Sequence, residues 1–117
     1  MVDLDLEEIA AARAAMLRER NPGLETDWSV EEGDWALLTL KEEGALIGFE
    51  FLETDRSWTR PDALIQYFEA ANDGFYVAVI VPSSRLVEVT DLIYSMGEDP
   101  IAIIAYSDIG IEEKIRA

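Results

Sequence analysis

The sequence has neither cysteine nor histidine. Without cysteine there is no disulfide framework, no thiolate metal site and no thiol nucleophile. Without histidine there is no Ser-His-Asp catalysis, no histidine general base and no histidine-ligated zinc. These two absences exclude several large classes of enzyme.

Basic residues are also scarce, with 9 lysines and arginines against 25 acidic residues and a net charge of −16. The only lysines are Lys41 and Lys114. Such a negative field opposes binding to nucleic acids and to anionic membranes. It favours solubility in a high-salt cytoplasm. A basic protein partner, or mimicry of a nucleic-acid surface, is the alternative explanation of the charge.

Long apolar segments are missing too. No run approaches the roughly 20 residues of a membrane span, and the start of the chain has no basic segment followed by an apolar one. The sequence therefore predicts a cytoplasmic protein without membrane contact. A length of 117 residues, half of them hydrophobic, predicts one domain over residues 1–117 with a single core.

Hydrophobic periodicity predicts three helices and five strands. The first helix follows an Asp5 N-cap and continues over residues 9–20. The second has Thr59 as its N-cap and the third covers residues 83–96. The apolar stripes of the last two helices are Leu64, Ile65, Phe68 and Ala71, and then Leu86, Val89, Leu92, Ile93 and Met96.

The predicted strands differ in their patterns. Residues 26–30, 34–40 and 45–54 form a meander. Residues 75–81 and 101–105 are apolar on both faces, as central parallel strands are. The fold class is therefore α/β, with a single mixed sheet, helices on both faces and the order α-β-β-β-α-β-α-β.

Carboxylates punctuate the meander. Asp34 opens its second strand, and Glu50 and Glu53 interrupt its third strand. This pattern and the element order resemble the restriction-endonuclease-like, or PD-(D/E)XK, nuclease superfamily, over most of the chain from residue 4 to about residue 106. That family has an Asp on the second strand and Glu-x-Lys on the third. The resemblance implies that Asp34 and Glu50 are candidate ligands of Mg²⁺ or Mn²⁺.

Leu52 stands where the family has its lysine, so the motif is degenerate. A positive charge could come from Arg56 or Arg60 in the following loop, although an arginine cannot act as a base. Alternatively, Glu50 is an ion-paired structural residue, with Arg56, Arg60 or Arg85 as its partner.

The register of the hairpin decides which carboxylates share a face of the sheet. A three-residue loop places Asp34 with Glu50, whereas a two- or four-residue loop places Asp34 with Glu53. The sequence leaves both arrangements open.

Two further sites are candidates. Ser83, Ser84 and Arg85 follow a central strand and begin a helix, where anions bind in open α/β sheets. A serine N-cap is the simpler interpretation. Arg56, Trp58 and Arg60 have the composition of an interface anchor. Alternatively, the Trp58 ring packs beneath its own loop.

Besides a small anion-binding protein that uses Ser83, Ser84 and Arg85, two functions remain open. The first is a non-catalytic protein-interaction domain on a degenerate nuclease-like fold, which acts through a protein partner or by self-association and needs no cofactor. The second is a nuclease or phosphodiesterase that uses Mg²⁺ or Mn²⁺ at a rearranged site.

Overall fold

The chain forms a five-stranded mixed sheet with helices on both faces, as predicted. The computed structural model describes residues 5–97 and 100–111. Its helices and strands are α1 Leu6–Arg20, β1 Leu24–Glu31, β2 Trp35–Glu42, β3 Ala45–Leu52, α2 Ala63–Asn72, β4 Tyr76–Val81, α3 Leu86–Met96 and β5 Ile101–Ala105. Short 3-10 turns cover Ser57–Thr59, Ser83–Arg85 and Tyr106–Ile109. Most of the residues after the last turn, 112–117, lie outside the described part.

The order of the strands across the sheet is the order along the chain, β1-β2-β3-β4-β5. The first three strands pair antiparallel. The last three pair parallel, through crossovers that contain α2 and α3. This arrangement confirms the predicted meander that leads into a parallel βαβ unit. No helix in the described ranges is both long and apolar enough to cross a membrane.

Helix α1 covers one face of the sheet. Asp5 is its N-cap, and a carboxylate oxygen of Asp5 lies 3.1 Å from the Glu8 backbone nitrogen. Asn21 is its C-cap, and the Asn21 backbone N–H donates to the Leu17 carbonyl. Its buried positions are Leu6, Ile9, Ala10, Arg13 and Ala14. An arginine therefore lies in the middle of an otherwise apolar helix face.

Helices α2 and α3 cover the other face, with small corrections to the prediction. The α2 N-cap is Asp62 and not Thr59, because Thr59 belongs to a 3-10 turn and its hydroxyl donates to the Arg56 carbonyl at 2.7 Å. The buried residues of α2 are Ala63, Tyr67 and Ala71, whereas Ile65 of the predicted stripe is 58% exposed. In α3, Val89 and Ile93 are buried, but Met96, in the last turn, is exposed.

The hairpin between β2 and β3 has a two-residue loop. Glu42 pairs with Ala45, and the loop residues Glu43 and Gly44 both have positive φ, 51° and 80°. Positive φ at both positions is the conformation of a type I′ turn, whose twist matches that of the strands.

A β-bulge then changes the register. The pairing shifts between Leu40 and Lys41, and Ile47 on β3 has no partner, so that Leu38 pairs with Glu50. Because the bulge adds one residue, side chains beyond it face as they would after a three-residue loop. The register expected from a two-residue loop without a bulge is therefore wrong. Glu50 faces α1, whereas Glu53 faces α2.

Candidate functional site

Glu50 forms a buried ion pair with Arg13 of α1. The Arg13 Nε donates to one carboxylate oxygen at 2.7 Å and its Nη2 donates to the other at 3.0 Å. Glu50 is fully buried and Arg13 is 7% exposed, so the pair is bidentate and shielded from water. The expected ion pair is present, but its partner is Arg13 and not Arg56, Arg60 or Arg85.

The Tyr76 hydroxyl lies 3.5 Å from the same Glu50 carboxylate. Burial, and next the negative charge of Glu50, raise the pKa of Tyr76. This tyrosine therefore remains a neutral donor beside the pair.

Glu53 is enclosed by a second set of donors on the opposite face. Ser57 Oγ and Arg60 Nη1 each donate to Oε1 at 2.6 Å, and the Tyr67 hydroxyl donates to Oε2 at 2.5 Å. Burial, and next the charge of Glu53, raise the pKa of Tyr67. The Glu53 carbonyl accepts from the Tyr106 hydroxyl at 2.8 Å. The side-chain carboxylate and the backbone carbonyl of Glu53 therefore both accept hydrogen bonds from within the fold.

Arg60 points inward from its loop. It also donates to the Ser57 carbonyl at 2.9 Å and to Gln66 at 2.8 Å. Its guanidinium carbon lies 3.8 Å from the centroid of a Trp35 ring, within the range of a cation–π contact. Arg60 thus joins the loop, α2 and β2 around Glu53.

The candidate metal ligands are not brought together. Glu50 and Glu53 point to opposite faces, and Asp34 lies exposed in the turn before β2 with a φ of 62°. Asp34 is four residues from Leu38, the partner of Glu50, which is roughly 13 Å along a strand. Among the described residues, no group of three or more acidic, histidine or cysteine side chains could hold a metal ion.

Arg85 of the candidate anion site is neutralised by acids. Its Nε and Nη2 donate to the two carboxylate oxygens of Asp55 at 2.7 and 3.2 Å, and its Nη1 donates to Glu88 at 2.8 Å. The hydrogen bond from Arg85 lowers the pKa of Asp55. Ser83 and Ser84 are exposed in the 3-10 turn after β4. The predicted serine N-cap is wrong, because α3 begins only at Leu86 and Arg85 occupies its N-cap position. The Arg85 guanidinium therefore links the 3-10 turn after β4 to Asp55 in the loop after β3.

The candidate interface residues diverge. Arg56 is exposed. Trp58 is half-buried against the α2 side of the core, and its indole N–H donates to the Asp55 carbonyl at 2.8 Å. Arg60 points into the fold, with a side chain that is 14% exposed. The three side chains therefore do not form one exposed surface.

An open groove lies between α2 and the sheet and has a volume of about 310 Å³. Its floor is the β2–β3 face and its wall is α2 with the residues just after it. The lining residues are Trp35, Leu37, Phe49, Phe51, Gln66, Glu69, Ala70, Asp73 and Phe75. Within this lining, the rings of Phe49 and Phe75 meet edge to face at 5.7 Å.

Sequence reasoning missed both Arg13 and the groove. Arg13 could have been found, because its spacing of four from Ile9 and three from Ala10 places it on the buried face of α1. The groove had no such signal, since Phe49 and Phe51 have the pattern of ordinary core residues. It exists because α2 lies over β4 and β5 and leaves part of β2 and β3 uncovered.

No protein-family model, curated protein or solved structure matches this chain. Its function is therefore inferred from the geometry of its own side chains.

Proposed function

We propose that this chain is a non-catalytic protein-binding domain of the cytoplasm, built on a degenerate form of the restriction-endonuclease-like fold. The order of a helix, a three-strand meander, a helix and a further strand supports the resemblance. The absence of catalysis is inferred because both candidate carboxylates form ion pairs within the fold, Glu50 with Arg13 and Glu53 with Arg60.

A metal ion would have to compete with these arginines. Displacing Arg13 from Glu50 would leave a guanidinium buried without its counter-charge, which costs several kcal/mol. Leu52, at the position of the family's lysine, is fully buried in the core on the α1 side. No catalytic cation is available at that position.

Protein binding is supported by the groove. Its aromatic and aliphatic lining is open to solvent in a protein with a strongly negative charge. Apolar concavities with polar rims are typical of sites where a partner inserts side chains. The charge of −16 disfavours nucleic acid as the partner.

The loss of catalysis is tested by calorimetric titration of Mn²⁺ and Mg²⁺, together with cleavage assays on DNA and RNA. We expect neither saturable metal binding nor cleavage. Asp34→Asn and Asp27→Asn are matched variants, since both aspartates are exposed and asparagine tolerates positive φ at position 34. Saturable binding that only Asp34→Asn removes would overturn the proposal in favour of the metal-dependent enzyme.

The binding role is tested by site-specific photocrosslinking in an extract of the source cells. A photoreactive residue replaces Ala70 in the groove or, as the control, the exposed Ala15 on α1. We expect one protein to be crosslinked from position 70 and not from position 15. This protein, once purified, should bind the unmodified domain in calorimetry. Equal crosslinking from the two positions would contradict a binding role for the groove.

A further inference from the structure

The groove lies between two acidic margins. On the α2 side, Glu69 and Asp73 belong to its lining and are exposed. On the other side, the edge strand β1 pairs Asp27 with Thr39 and Glu31 with Trp35. Directly paired residues share a face of the sheet, so these two acids project from the same face as the floor.

In residues 5–97 and 100–111, little positive charge offsets these margins. Lys41 pairs with Glu25 on β1 and lies on the same face. Arg60 is directed beneath α2, where it is bound by Glu53 and Gln66. The rim of the groove is therefore negative on both sides, while its floor is apolar.

We propose that the groove binds a basic amphipathic segment of a partner protein. This inference rests on the protein-binding function proposed above. The apolar side chains of the segment would lie on Leu37 and Phe49 of the floor and against Ala70 of the wall. Its lysines or arginines would pair with Glu69 and Asp73 on one side and with the acids of β1 on the other.

The negative charge of the protein favours a basic segment over a second copy of the chain, a nucleic acid or a membrane as the occupant of the groove. A second copy of the chain would bring its own charge of −16 against the acidic margins. Nucleic acids and anionic membranes would be repelled for the same reason. An apolar floor with exposed carboxylates on both sides complements a segment that is apolar on one side and cationic on the other.

The two parts of the site have separate physical roles. Apolar side chains buried in the groove would supply most of the affinity. The exposed rim carboxylates would speed association and confer salt dependence, because exposed charges are screened by salt. Affinity should therefore depend on both the shape of the floor and the charge of the rim.

The probe for this proposal is a synthetic peptide of leucine and lysine with helical amphipathic spacing. Its controls are a glutamate-for-lysine version and a scrambled version of the same composition. Fluorescence anisotropy measures affinity at about 50 and about 500 mM salt. Backbone amide shifts at Leu37 and Ala70, measured by NMR, report whether the groove is the site.

Two pairs of variants test the two roles. Glu69→Lys with Asp73→Lys reverses the rim, and Glu19→Lys with Asp91→Lys changes the net charge equally at exposed positions elsewhere. Ala70→Phe fills the groove. Ala15→Phe, at an exposed position on α1, is its control. Circular dichroism establishes that each variant is folded before binding is measured.

We expect the lysine peptide to shift the groove amides and to bind at least about tenfold more weakly to the rim-reversed and groove-filled variants. The two controls should change the affinity by less than about threefold. Equal weakening by both charge reversals, or equal binding of the glutamate peptide, would overturn the basic partner.

Other outcomes separate this proposal from the function on which it rests. Absence of any groove shift with the lysine peptide overturns the basic segment. So does a dimer in sedimentation that Ala70→Phe dissociates, since a second copy would then be the occupant. Neither outcome alters the photocrosslinking test, which stands or fails on whether the groove contacts a protein at all.

Discussion

The buried pair of Arg13 and Glu50 gives the sharpest stability prediction. Both side chains are almost completely withdrawn from solvent, and both nitrogen–oxygen contacts lie within hydrogen-bond distance. Replacing Arg13 with methionine keeps an apolar stem on the buried face of α1 and removes the only charge that matches Glu50 in that contact. The carboxylate is then left buried without its cation.

The expected loss of stability is large. Removing one partner of a buried ion pair costs about 3–5 kcal/mol, whereas replacing both by well-packed apolar groups is neutral or stabilising by about 1–4 kcal/mol. Arg13→Met and Glu50→Met should therefore each be severe. Their combination should restore most of the loss. Since a domain of this kind is stable by about 5–15 kcal/mol, each single variant removes a substantial share.

Urea denaturation followed by tryptophan fluorescence and circular dichroism measures all three variants. Arg18→Met is the control, since Arg18 is exposed on the same helix and its Nη1 donates to Thr26 at 2.8 Å. We expect the control to cost about 0.5 kcal/mol or less. If Arg13→Met were as mild as this control, or if the double variant were no better than the singles, the buried pair could not have the role described.

Two further predictions concern close packing and pH. Gly48→Ala should destabilise the protein by about 1–3 kcal/mol in urea denaturation, because its Cβ would lie 2.5 Å from the Tyr76 carbonyl oxygen. The control Gly23→Ala, at a position with open space around it, should be neutral or stabilising by about 0.4–1 kcal/mol. Equal effects of the two variants would contradict the close approach of Gly48 to Tyr76. Burial, and next the charge of Glu53, raise the pKa of Tyr106, so its contribution is complete below pH about 10 and is lost as the pH rises, by about 1.4 kcal/mol per pH unit. Denaturation at alkaline pH should show a shallower decline in Tyr106→Phe, and identical slopes would refute this origin.

Much of the fold could be predicted because each element carries its own local signal. The Asp5 cap and the helix-forming residues of α1 are signals within a few positions of the chain, and the apolar runs of β4 and β5 reflect burial on both faces. The mixed sheet and its parallel half follow from the order of these elements. The predicted start of α2 is wrong because Thr59 belongs to the 3-10 turn Ser57–Thr59, which precedes the helix.

The candidate site was harder to predict because its contacts are not local. The bulge at Ile47 has no local sequence signal, and together with the two-residue loop it decides which face receives Glu50. The pairing of Glu53 with Arg60 lies within one loop, and the position of Arg60 in that loop predicts a nearby positive charge. Arg13 was not named, although its spacing on α1 predicts a buried position.

Strand order has a consequence for how this chain folds. Because each strand pairs only with the strands that precede and follow it along the chain, the sheet can grow one strand at a time, without threading a late segment between earlier ones. Local pairings of this kind incur small loop-closure entropies and favour rapid folding. The contacts that must wait are Arg13 to Glu50, 37 residues apart, and Tyr106 to Glu53, 53 residues apart. We therefore expect the Glu50 carboxylate and the Glu53 backbone carbonyl to gain these partners late, after the strands around them have already paired.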